Sequence, residues 1–126
     1  MDRKAEEFKG EISVEQRERV RQALEAFLRA FTAARSGTVG AAELEKARID
    51  LLRILGESLA IATAVPLLQA FLRGAVVELV AALRAGAADP AVFARHARAL
   101  EEARAQARAA LGEANAPAGS FWESSI

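Results

Sequence analysis

The chain reads as an all-α protein, and three observations predict it. Hydrophobic residues make up 52% of the sequence, yet aromatics reach only 6% and tyrosine is absent. The apolar content is therefore chiefly Ala, Leu and Val, a mixture that favours helices over strands. These residues recur three and four apart through most of the chain. The segments that carry them are bracketed by Ser, Asp, Pro and Gly, the residues that start and stop helices. The expected architecture is a bundle of four helices at about 14–35, 41–64, 66–85 and 90–111. A charged arm (1–12) precedes the bundle domain (13–112), and a linker with a non-helical C-terminal tail (113–126) follows it.

The first helix is announced by "SVEQ" at 13–16. The Ser13 hydroxyl can accept from the backbone N–H of Gln16, whose side chain can reach back to Ser13. Val20, Leu24, Phe27, Leu28 and Phe31 then form one apolar stripe, and "SGTVG" at 36–40 ends it with a glycine suited to a left-handed cap.

A second helix starts near Ala41. Leu44, Leu51, Leu52, Leu55 and Leu59 give one stripe, and Ile54, Ile61, Val65 and Leu68 add another, so partners are expected on more than one side. Pro66 then allows two readings. In one, residues 41–85 form a single helix kinked where the proline ring meets the Ala62 carbonyl, a rod about 65 Å long. In the other, the chain breaks at 64–66 and Pro66 is the first residue of a new helix. That helix continues through Phe71, Leu72, Val76, Leu79, Val80 and Leu83 to "AGAADP". Asp89 and Pro90 suit the N-cap and first position of the last helix, which carries Val92, Phe93, Leu100 and Leu111 and ends at Gly112.

The stretch "LAIATAVPLLQAFL" (59–72) has no charge. A spanning helix needs about 20 apolar residues, and Glu57 and Arg73 close this one off sooner. It is expected to be protein core, with no membrane span. The start of the chain lacks the apolar run of a secretory signal, and cysteine is absent, so a cytoplasmic protein without disulfides is expected.

Little in the chain suggests catalysis. With one histidine, no cysteine and no tyrosine, most nucleophile–base pairs are removed, and no phosphate-loop, dinucleotide or zinc-protease pattern occurs. No enzyme, metal or cofactor is expected. His96 reads as a boundary histidine making one hydrogen bond, since no Glu stands three residues before it as di-metal bundles require. Glu57, Arg73 and Glu78 interrupt the most apolar region; they could form a buried ion pair that fixes register, or lie at helix edges and reach solvent. Arg95, Arg98, Arg104 and Arg108 could contact phosphates, although Glu101 and Glu102 among them read as ordinary helix-surface partners. Seventeen basic residues against seventeen acidic argue against nucleic acid as the main partner.

The tail carries the most suggestive segment. After the linker-like "EANAPAGS" comes "FWESSI", with the only tryptophan beside a phenylalanine. Phe121, Trp122 and Ile126 are candidate interface residues, docking either on their own bundle or on another protein. The function expected is protein–protein association: a homo-oligomer, or a helical subunit of a larger assembly. Two alternatives are a bundle enclosing an apolar or haem-like molecule and a nucleoprotein subunit using the Arg face.

Overall fold

The computed structural model describes residues 12–112. They form six helices: α1 (Val14–Arg35), α2 (Ala41–Leu55), α3 (Leu59–Ala64), α4 (Pro66–Arg84), α5 (Pro90–Ala94) and α6 (Ala97–Ala110). Among the described residues there is no strand, and the protein is all-α. The arm before Ile12 and the tail after Gly112, with Phe121, Trp122 and Ile126, lie outside the described residues.

The start of α1 is the reciprocal cap expected from "SVEQ". The Gln16 N–H donates to Ser13 Oγ at 3.1 Å and the Ser13 N–H to Gln16 Oε1 at 3.2 Å. Beyond the C-cap Ser36, Gly37 takes a φ of +83°, which an L side chain adopts only under strain. Glu43 caps α2 by accepting from the Gly40 N–H at 3.1 Å.

The helix expected over 41–64 is two helices, and the 41–85 rod is not formed. Helix α2 stops at Leu55, and the Gly56 N–H turns back to the carbonyls of Leu52 and Arg53. Ser58 then caps α3 by accepting from the Ile61 N–H. The signal was present as "GES" at 56–58, a helix stop followed by an N-cap. A second break falls at Val65, whose φ/ψ of −129°/53° leaves the helical region and sets Pro66 at the first position of α4. The last helix, expected over 90–111, is also divided. At Arg95–His96 the His96 N–H bonds to the Phe93 carbonyl at 3.1 Å, and this tighter three-residue turn separates α5 from α6.

The break at Val65 leaves two backbone groups without their helical partners, and two glutamines supply them. Pro66 has no N–H to offer the Ala62 carbonyl, and Gln69 Nε2 donates to it instead at 2.7 Å. The Leu67 N–H cannot complete its own helical bond across the break, and Gln106 Oε1 of α6 accepts it at 2.9 Å.

Helix α4 contains a wider turn. Residues Phe71–Ala75 are π-helical, and the Val76 N–H bonds to the Phe71 carbonyl five residues back. The sequence explains why. The core side chains of α4 repeat every fourth residue, as Leu68–Leu72–Val76–Val80 and Phe71–Ala75–Leu79–Leu83. Rows of period four drift around a helix of 3.6 residues per turn. The under-wound turn cancels that drift, so Leu68, Phe71, Leu72, Val76, Leu79 and Val80 are all buried.

Helix α1 packs along α2, α2 packs against the C-terminal part of α4, and α3 and the N-terminal part of α4 pack on α6. Four phenylalanines lie among these contacts. Phe31 is 6.0 Å from Phe27, 6.0 Å from Phe71 and 5.5 Å from Phe93, ring centre to ring centre, within the range of favourable edge and tilted contacts.

Candidate functional site

The charged residues of the apolar region lie at the surface. Glu57, Arg73 and Glu78 are exposed and are not brought together as a buried set. Glu57 pairs with Arg19 of α1, which donates to it through both Nε (3.1 Å) and Nη2. The placement follows from the break at Gly56–Ser58, which carries Glu57 out of the apolar stripe. Glu78 lies beside His96, with Oε1 at 3.4 Å from Nε2. The contact is within ion-pair reach but poorly aligned, for Nε2 is buried and makes no hydrogen bond among the described residues. Among those residues no group of three His, Asp or Glu side chains is placed to hold a metal ion.

The four arginines of the last helices do not share a surface. Arg95, Arg98 and Arg108 are exposed, and Arg98 Nε lies 3.4 Å from Glu102 Oε2. Arg104 is turned inward and is only 8% exposed. Burial lowers its pKa, and the Glu101 carboxylate opposes that shift.

Arg104 lines one end of a cleft of about 280 Å³ between α1 and the α5–α6 pair. Leu28, Phe31, Phe93 and Leu100 give the cleft apolar walls, and Arg35 and Glu101 also line it. Its volume is at the low end of ordinary ligand pockets, so it suits one or two side chains better than a large cofactor.

The second surface is the outer side of α4. This is the one helix among the described residues long and apolar enough to cross a membrane by length and composition, and 33% of its apolar window is buried. Leu67, Ala70, Gly74, Val77 and Ala81 are exposed along it, flanked by Arg73 and Glu78. In a bilayer those two charges would each cost about 2.5–3.5 kcal/mol near the centre, which disfavours a lipid-spanning role. Gly74 has no conformational need to be glycine, because its φ is not positive and a Cβ there would meet nothing within 4 Å. A helix-interior glycine costs about 1 kcal/mol relative to alanine, and among the described residues no close contact at Gly74 offsets that cost.

The sequence singled out Arg73 and Glu78 but not the uncharged residues between them. They lie on a helix whose other side already feeds the core, and the π-helical turn divides them: Leu67 and Ala70 line a groove with Ala99 and Glu102 of α6, which Val77 and Ala81 do not share. Compared with protein-family models, curated proteins and solved structures, the chain has no match.

Proposed function

We propose that the chain is a non-enzymatic association module, a homo-oligomer or a helical subunit of a larger assembly. The observation that carries this reading is the outer side of α4, where Leu67 and Val77 are 43% and 42% exposed on an apolar helix only one-third buried. Exposed apolar surface of this kind is where partners commonly bind. In this reading the helices form a single four-helix bundle, taking α2 with α3 and α5 with α6 as bent units. The FWESSI segment is a further docking element. The cleft beside Arg104 has the chemistry to receive it, with apolar walls for Phe121 or Trp122 and the exposed Arg35 guanidinium for Glu123.

The test is the solution mass of the full chain by light scattering over a hundredfold concentration range. A mass that rises above 13.4 kDa with concentration supports association. A monomer throughout, with no bound protein, overturns it. The Phe121→Ala and Trp122→Ala variants measured beside it report whether the tail contributes.

A further inference from the structure

We infer that the cleft between α1 and the α5–α6 pair is the seat of the chain's own FWESSI segment, docked in cis and running alongside α1. The inference rests on the docking role given to that segment above. It adds which chain the segment grips, in which direction and through which residues.

The two walls bring the start of the tail to the mouth of the cleft. Helices α1 and α6 run side by side in opposite directions. The end of α6 lies against the start of α1, where a Cβ on Gly112 would come 3.3 Å from Arg17 Nη1. Farther along, the part of α1 from Leu28 to Arg35 faces the part of α6 from Arg104 back to Ala97. Gly112 turns the chain off the axis of α6 with a φ of +78°. Nine residues then lead to Phe121, an extended reach of about 30 Å. The α6 wall of the cleft lies about 12–22 Å back along the helix from Gly112. The segment therefore reaches its own cleft with slack, and no second copy is needed. A short tether also holds it there at an effective concentration of about a millimolar, which a second copy matches only at comparable concentration.

The chemistry of the cleft runs in the same order as that of the segment. Entered from the Gly112 end, the α1 wall presents Leu28 and Phe31 first and Arg35 last. The segment presents Phe121 and Trp122 first and Glu123 next. Running parallel to α1, it sets the aromatic pair against Phe31 and Leu100 and the Glu123 carboxylate against the exposed Arg35 guanidinium. The reverse direction would set Glu123 against Leu28. The other two charges of the wall, Arg104 and Glu101, act on each other. Two arginines less one glutamate leave the cleft one net positive charge, matched by the one acidic residue of FWESSI.

Trp122 is the only tryptophan and cysteine is absent, so the contact can be read directly in the full chain. A cysteine thiol quenches the indole triplet state on contact. Thr32→Cys places a thiol on the exposed rim of the cleft. Leu59→Cys places one outside the cleft but near the origin of the tail, because Glu57 pairs with Arg19, two residues from the Arg17 that meets Gly112. At a dilution where light scattering shows a monomer, Thr32→Cys should shorten the Trp122 triplet lifetime severalfold more than Leu59→Cys. Arg35→Glu should weaken that quenching by roughly two- to fivefold, and Arg35→Glu combined with Glu123→Arg should restore it. All these positions are exposed or lie in the tail, so the fold is kept. Equal lifetimes in the two cysteine variants overturn the cis seat, whatever the solution mass. Quenching at Thr32→Cys that appears only as concentration rises assigns the cleft to the tail of a second copy; it overturns the cis seat and keeps the association reading. A chain that is monomeric at every concentration yet quenched at Thr32→Cys keeps the cis seat and overturns the association reading.

Discussion

Arg19 holds Glu57 with two parallel hydrogen bonds, joining the first turns of α1 to the break between α2 and α3 across 38 residues of sequence. Both side chains are well exposed, at 54% and 40%, so solvent screens most of their attraction. A double-mutant cycle of Arg19→Ala and Glu57→Ala, read by urea denaturation, should give a coupling of about 0.5–1 kcal/mol. A coupling indistinguishable from zero would show that the fork adds nothing to holding the break in place.

The two glutamines that complete the backbone at Val65 should matter unequally. Gln69→Leu removes the donor to the part-buried Ala62 carbonyl and should cost about 1–2 kcal/mol, the desolvation penalty of an unsatisfied acceptor. Gln106→Leu exposes only the Leu67 N–H, which lies at the surface where water can replace the lost oxygen. Its expected cost is below 1 kcal/mol. Equal losses in thermal denaturation would contradict this assignment.

Phe31 is the aromatic hub of the core, touching Phe27, Phe71 and Phe93 and remaining 3% exposed. Phe31→Ala should destabilise by about 3–5 kcal/mol. Phe31→Leu, which keeps most of the apolar volume, should lose less. Phe31 also lines the cleft near Arg104, so the leucine variant changes the wall of that cleft as well.

Acid should weaken the fold through Glu45. The Arg48 guanidinium donates to its carboxylate at 2.9 and 2.7 Å and holds its pKa below the ordinary 4.5. A carboxyl whose pKa is lower when folded stabilises the protein fully above its unfolded pKa, and the contribution is lost as pH falls through the folded value. Stability followed by denaturant titration from pH 6 to pH 3 should therefore fall less steeply in Glu45→Gln than in the parent. Asp50, lowered by Lys46, acts in the same direction, so the variant's curve should flatten without becoming level.

The elements most legible in the sequence were those with local signals. The first helix runs from Val14 to Arg35 because its reciprocal cap and its glycine stop are each contained within a few residues. The break at Gly56–Ser58 was also written locally, but the continuous leucine stripe on either side concealed it. The break between Phe93 and Ala97 carries no glycine or proline, and arises from a backbone turn that no residue type there demands. Gln106 could not be assigned a role from sequence, since the N–H it accepts lies 39 residues away. The surface of α4 was half legible. Arg73 and Glu78 stood out as charges in an apolar run, whereas Gly74 gains meaning only once the space around it is known to be open.

The wide turn of α4 also means that this helix carries one surplus residue. Deleting Gly74 would convert the every-fourth-residue rows into the ordinary alternation of three and four, and a straight α-helix would then bury the same side chains. The core can thus accommodate the loss of one residue at this point. Only the outside registers it, so a deletion within 71–75 is a change through which such a chain can alter its outer surface while keeping its fold.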